Sequence, residues 1–312
     1  MPVGVAVVLQ WCIRVGKKEG ERRRQELLEQ GLLDQRFKPR KDGDTILFPV
    51  NTMLEGSTRE DFDAHPVTGT LPRHELIGGI AVMQERDVQE AERLLDSRPS
   101  IHTVLYPASD VEGDYRTRRF EVLAGVSTTR TRYLEHGRLF DIDLSEAYFS
   151  ARLSTERQRI LSSMEQGERV LDMFAGVGPY AITLSGKAGF VAASDINPGA
   201  VRLLLKNIAL NRIKNVLPVL SDASHLHALL PWKFDRVVMN LPLGAMQFLT
   251  VAVEMCRPGG TIHCYALQEK ESEYLPEIGR YPVSHVRERY VRSYSPGRWH
   301  AVYDIVMNGD RA

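Results

Sequence analysis

Between Ser154 and Ala266 the chain alternates helix-period and strand-period segments so regularly that few architectures remain open to it. Helices are predicted over 154–166, 179–187, 198–211 and 245–255, with a further one between 220 and 234, and strands over 169–173, 190–195, 216–220, 234–240 and 261–266. Strands alternating with helices build an α/β fold with a parallel doubly wound sheet. Such a sheet takes its ligand in the crevice outside the carboxyl ends of the strands. Every residue just after a predicted strand is therefore a candidate for ligand contact.

The first of these strands runs into VLDMFAGVGPYA. Gly176 and Gly178 permit a tight turn and a close approach of ligand to backbone, and the next helix presents free amides. Gly176-x-Gly178-x-x-Ala181 also fits a dinucleotide fingerprint, so the glycines alone do not choose a cofactor. Asp172, four residues before Gly176, bears on the choice. A nicotinamide-binding fold keeps that strand end apolar, whereas a carboxylate there would meet a cation or an amine, such as the methionine moiety of S-adenosylmethionine. Phe174 lies between them and joins them as an expected cofactor contact. Asp195 follows Gly176 by 19 residues, the offset at which an acid accepts ribose hydroxyls, and Asp222 after the third strand is placed to accept from an adenine amino group. The fourth strand stops at Asn240-Leu241-Pro242. Any one of these acids could simply cap a turn or a helix. Acid, acid, acid and amide at four successive strand ends form a methyltransferase pattern, with S-adenosylmethionine as the expected cofactor.

With 312 residues the chain exceeds what one core usually fills, and 43% apolar residues is ordinary globular composition. Three further segments precede the doubly wound part. Residues 1–52 read as a small α/β unit: strand 5–15, helix 17–30, a turn at Gly31 and strand 45–50. Residues 53–72 belong to a polar stretch broken by Gly and Pro, with the look of a linker. Residues 73–150 read as an α+β segment with strands 79–83, 103–106, 120–123 and 139–144 around a helix 88–95. Forty Lys+Arg balance forty Asp+Glu, so net charge says nothing about a polyanionic partner. Local charge says more. Ten basic residues face six acidic ones between Arg14 and Asp42, and Arg116, Arg118, Arg119, Arg130, Arg132 and Arg138 stand against Glu121 and Glu135 with tyrosines interleaved. The tail adds Arg280, Arg287, Arg289, Arg292 and Arg298 against Glu288. Arginine with aromatic rings suits phosphate contact and base stacking, although a solvated face is the plainer reading of each patch. Three cysteines without a CxxC pair suit a reducing cytosol, no metal site is suggested, and the apolar run from Val3 to Trp11 is too short to span a bilayer.

AYFSARLSTERQRI (147–160), LDMFAGVGPYAI, MNLPLGAMQFL, SYSPGRWHAVYDI (293–305) and the N-terminal KKEGERRRQELLEQGLLDQRFKPRKDGD together resemble the archaeal and eukaryotic tRNA (guanine-37-N1)-methyltransferases over nearly the whole chain. The resemblance implies a class I, Rossmann-like S-adenosylmethionine-dependent methyltransferase domain at 151–312, preceded by two small α+β domains. Residues 1–52 would recognise tRNA and residues 73–150 would bind RNA and complete the active site. It implies Glu156 as general base, Arg116 as the stabiliser of charge on the base, Tyr148 as an active-site contributor, Asn240 as the holder of the target base, and Pro242 as a shaper of its pocket. One departure is visible: Ala151-Arg152-Leu153 stands where the family usually reads Pro-Arg-Leu. The implied partner is tRNA, met at its anticodon stem-loop and its L-shaped body; a cytoplasmic location, no membrane partner and a monomer are expected beside it.

These residue types suit the implied chemistry. Guanine N1 is a poor nucleophile until its proton leaves, so a carboxylate within reach is needed, and the negative charge that moves to O6 calls for a guanidinium. Without the resemblance, Glu156 would read as a first-turn acid favoured by the helix dipole. The alternatives are a wybutosine-pathway aminocarboxypropyltransferase using the same cofactor, a bifunctional methyltransferase that also acts on the tricyclic intermediate of that pathway, and a catalytically silent RNA-binding module. Asn240-Leu241-Pro242 favours methyl transfer among the enzymes, and a silent module would need neither Glu156 nor Arg116.

Overall fold

A computed structural model describes residues 7–34, 37–63, 71–110, 113 and 115–309. They fall into two compact units, one within Met1–Pro107 and Glu121–Thr128, the other within Ala108–Phe120 and Thr129–Ala312.

The first unit holds two small sheets. Strand β1 (Val7–Gly16) leads into helix α1 (Gly20–Glu29), then β2 (Arg40–Asp42), β3 (Thr45–Pro49) and β4 (Thr58–Asp63), in the order β2-β3-β1-β4. Leu27 of α1 packs on Ile13, Phe48 and Val50, an apolar face that gives the sheet its core. The linker expected over 53–72 is corrected at β4, which pairs antiparallel with β1 from Trp11 opposite Arg59 to Leu9 opposite Asp61. Polar side chains hid this strand. On a sheet edge one face meets water, so Thr58, Arg59, Glu60 and Asp61 satisfy the backbone ladder without apolar alternation. Residues 64–70 of that stretch lie outside the described residues. The second sheet orders β5 (His74–Ile77), β6 (Ile80–Met83), β7 (Thr103–Pro107) and β8 (Phe120–Gly125) as β5-β6-β7-β8, with α2 (Val88–Ser97) burying Ala91 and Leu94. Asp87 caps α2 by accepting from the Glu90 amide at 3.0 Å.

The second unit opens with a hairpin, β9 (Arg130–Glu135) and β10 (Arg138–Asp143), followed by α3 (Ser154–Ser163). A doubly wound core then runs β11 (Arg169–Asp172), α4 (Pro179–Leu184), β12 (Phe190–Asp195), α5 (Pro198–Leu210), β13 (Val216–Leu220), α6 (Leu226–Leu229), β14 (Phe234–Met239), α7 (Leu249–Met255) and β15 (Cys256–Gln268). After α8 (Leu275–Ile278) come β16 (Val283–Ser295) and β17 (Arg298–Met307). The seven strands lie in the order β13-β12-β11-β14-β15-β17-β16. β11 to β15 are parallel, and β17 and β16 run antiparallel at one side. Chain order reverses between β11 and β14, which places the ligand crevice there.

The hairpin β9–β10, expected with residues 73–150, sits instead in the unit of the doubly wound sheet. Asn207 and Asn211 of α5 explain the attachment. The Asn207 Oδ1 accepts from the Asp141 amide at 2.7 Å, the Asn211 Oδ1 accepts from the Leu139 amide at 2.9 Å, and both side-chain amides donate back to the carbonyls of the same residues. These four bonds satisfy the open edge of β10, which would otherwise need another strand. Among the described residues no helix is long and apolar enough to cross a membrane.

Candidate active site

The carboxyl ends of β11, β12, β13 and β14 open into one cleft of about 740 Å³. Its wall includes Phe174 and Gly176 after β11, Asp195 at the end of β12, Asp222 after β13, and Asn240 and Pro242 after β14. Arg116 and Tyr148 line the same cleft. Eight residues singled out from sequence are thus brought to one place, although they span 127 positions from 116 to 242. Glu156, Asp172 and Gly178 are not on the wall.

Each strand end has a local cause. Gly176 and Gly178 take positive φ angles of 55° and 94°, which a glycine adopts without strain. A Cβ on Gly178 would lie 2.4 Å from Leu204 Cδ1, so this glycine allows α5 to pack against the loop, whereas Gly176 has open space apart from the Tyr148 carbonyl at 3.6 Å. Asp195 accepts from the Gly176 amide at 2.7 Å and from the Asn197 amide at 2.9 Å, and these bonds orient its carboxylate while burial pushes its pKa up. Asp222 caps a turn of 3-10 helix by accepting from the Ser224 amide and hydroxyl, which holds its pKa down. After β14, Gly244 and Ala245 donate their amides to the Leu241 carbonyl, closing a turn in which Pro242 supplies the fixed φ that the turn requires.

Asp172 is wholly buried. Its Oδ2 accepts from the Ala181 amide at 3.2 Å, its Oδ1 has no hydrogen-bond partner among the described residues, and desolvation pushes its pKa to about 7. The Asn240 Oδ1 is also buried without a partner among the described residues. Two acceptors left open at the ends of neighbouring strands suit a ligand that brings N–H donors or a positive charge. Ribose hydroxyls at Asp195 and an adenine ring beside Ile196, Ala223 and Phe248 fit this arrangement of acids and apolar walls, with Asp172 buried behind the wall.

Arg116 adopts φ 52°, a left-handed conformation that an arginine rarely takes, and forms no ion pair with a described residue. Burial lowers its pKa while the nearby Tyr148 and Tyr294 oppose that shift. Glu156 stands behind the wall on α3, where its Oε2 accepts from Arg159 Nε at 2.9 Å and from the Tyr265 hydroxyl at 3.2 Å. Its neighbours Leu153 and Arg157 do line the cleft. The sequence reading did not single out Arg157, Ile196 or Phe248, nor the group Arg292, Tyr294 and His300 as residues of this cleft. For the last three the signal was a basic, aromatic hairpin, but no periodicity says which of its residues turn toward a crevice.

Residues 131–281 match the family described as the TRM5/TYW2 methyltransferase domain, and residues 12–58 match the tRNA methyltransferase 5 N-terminal domain. The tRNA (guanine(37)-N(1))-methyltransferase Trm5b of Pyrococcus abyssi is 32% identical, over 94% of this chain and 98% of its own. Among solved structures, the complex of aTrm5 and tRNALeu superposes with a TM-score of 0.73 at 28% identity, covering 95% of this chain and 99% of that one. The TYW2 of M. jannaschii in complex with AdoMet gives a TM-score of 0.58 at 27% identity, covering 75% of this chain and 98% of that one. Fold, strand-end pattern and full-length similarity agree: the chain belongs to the archaeal and eukaryotic-type tRNA (guanine-37-N1)-methyltransferase family.

Proposed function

We propose that this protein transfers the methyl group of S-adenosylmethionine to N1 of guanosine 37, beside the anticodon of tRNA. The observation that carries the reading is one cleft in which four strand ends suited to the cofactor meet Arg116, Tyr148 and the open Asn240 Oδ1. The extent of the similarity favours this activity over aminocarboxypropyl transfer, because the TYW2 chain spans three quarters of this one and Trm5b spans nearly all of it.

When bound, S-adenosylmethionine supplies an electrophilic methyl on a sulfonium. Asp172, Phe174, Gly176, Asp195 and Asp222 would hold it, with Gly178 shaping the loop. A loop guanine must leave its stack to enter the cleft, and Tyr148, 46% exposed, offers a ring for it to meet. Asn240 accepts through Oδ1 from the N1 or N2 edge and donates through its amide to O6, which fixes the base in line for transfer. Glu156 takes the N1 proton, for which its carboxylate leaves Arg159 and Tyr265 and turns to the side of α3 that Leu153 and Arg157 present to the cleft. Arg116 faces the charge that gathers on O6, and with no carboxylate partner among the described residues its guanidinium is available to stabilise the transition state more than the ground state.

The test is methyl transfer from labelled S-adenosylmethionine to transcripts with guanosine or adenosine at position 37. Label entering only the guanosine transcript, with release of S-adenosylhomocysteine, is expected. Equal labelling would overturn the base assignment, and release of methylthioadenosine would transfer the protein to the aminocarboxypropyl class.

A further inference from the structure

One cation on the cleft wall has no role in the reaction just described. Arg292 on β16 pairs across the ladder with His300 on β17, and both line the cleft together with Tyr294. No described residue forms an ion pair with Arg292, and its Nε is buried without a hydrogen-bond partner. A buried N–H on a charged group is costly to leave unpaired, so an acceptor from outside the chain is the natural complement. His300 is 7% exposed, stacks on Tyr294 with ring centroids 5.3 Å apart, and is kept neutral by burial and by Arg292 and Arg116, with a pKa near 4. On the same strand Arg289 is already engaged with Asp304 at 3.2 Å, so β16 holds Arg289 inside the fold while Arg292 stays open toward the cleft.

Position in the sheet separates this cation from the cofactor residues. Asp195 and Asp222 lie at β12 and β13 on one side of the switch point, whereas β16 is the opposite edge of the sheet, and Arg116 on the same wall is near enough to act on the His300 charge. Guanidiniums on this wall that no described carboxylate pairs with, Arg116 and Arg292 among them, call for an anion belonging to the substrate. A planar N–H fork matches phosphate oxygens bidentately.

We propose that Arg292, backed by the His300–Tyr294 stack, grips a backbone phosphate flanking the guanosine that enters the cleft. The inference rests on the RNA-methylation reading above. Such a contact sets the depth and register of the extruded nucleotide and carries no sequence information, which leaves base choice to Asn240 and Arg116.

The experiment measures binding of an anticodon stem-loop with guanosine 37 by fluorescence anisotropy, using the full chain as wild type, Arg292→Ala and Arg292→Lys. The RNA is native or carries a single neutral methylphosphonate at the phosphate on either side of nucleotide 37. Arg292→Ala is expected to weaken binding about tenfold and to reduce the salt slope by about one. One of the two methylphosphonates should weaken wild-type binding by a similar factor and add nothing in Arg292→Ala. Arg292→Lys should recover part of the loss and serves for the same cycle if the alanine variant melts early. Additive losses at both phosphates, or unchanged RNA affinity, would overturn the proposal. Weaker S-adenosylmethionine binding with unchanged RNA affinity would also overturn it, by assigning Arg292 to the cofactor carboxylate. Wild-type methylation of the guanosine-37 transcript is measured alongside, so failure of the broader reading shows there and not in the phosphate cycle.

Discussion

Arg157 of α3 and Glu135 of β9 form a two-pronged ion pair, at 2.7 and 2.6 Å, with side chains 1% and 3% exposed. The pair fixes the N-terminal hairpin of the second unit to the helix that carries Glu156, and Arg157 also lines the cleft. Removing one partner leaves a buried charge uncompensated. Glu135→Gln should therefore lower unfolding free energy by about 3–5 kcal/mol, whereas the double replacement Glu135→Gln with Arg157→Met should lose less than either single change. Thermal melts of the three variants measure this, and a double variant no more stable than Glu135→Gln would show that the pair is not coupled.

Glu156 is held by Arg159 and Tyr265, and Arg159 is in turn held by both oxygens of Asp304 at 2.7 and 3.1 Å. As the proposed base, Glu156→Gln should reduce kcat by roughly 10²–10⁴-fold with little change in S-adenosylmethionine affinity. Normal single-turnover rates in that variant would remove Glu156 from the mechanism.

Burial raises the Asp172 pKa from 3.8 to about 7, so the folded protein keeps this proton through a pH range where the unfolded chain has lost it. The stability cost is absent below about pH 4, grows as pH rises toward 7, and is constant above that. Asp172→Asn should accordingly flatten the fall in stability between these two pH values and raise Tm at pH 8, while S-adenosylmethionine binding weakens. Denaturant midpoints measured across that range, with calorimetric titration of the cofactor, check both halves. A variant less stable than wild type at pH 8 would contradict the desolvation argument.

Gly178 and Gly176 separate packing from ligand contact. Gly178→Ala meets Leu204 and carries a φ of 94°, which together should cost about 2 kcal/mol or more. At Gly176 the φ of 55° costs an alanine about 1 kcal/mol, and the new methyl enters open space on the cleft wall. Gly178→Ala should lower Tm more, and Gly176→Ala should raise the cofactor Kd more in proportion to its effect on Tm. Melting curves and cofactor titrations of both variants decide the order.

The acids at 172, 195 and 222 and the amide at 240 were legible because in a doubly wound sheet sequence position fixes which strand end a residue occupies. Strand β4 was not legible, because an edge strand with a solvated face shows no apolar alternation. Nor was the placement of residues 129–150. Nothing local marks Asn207 and Asn211 as the partners of β10, since the bonds that attach it join positions 66 and 72 residues apart.

Local periodicity and strand-end chemistry, both short-range properties, determined the doubly wound core and the strand-end residues of the cleft from sequence alone. Tertiary structure decided the rest of the wall. Arg116, Tyr148, Arg292 and His300 reach one wall through an irregular segment, a loop and an antiparallel hairpin, whose convergence depends on long-range packing. The same packing turned Glu156 toward Arg159 and Tyr265 and left the Arg292 Nε without an acceptor among the described residues, because ion pairing and burial are settled by neighbours distant in the chain.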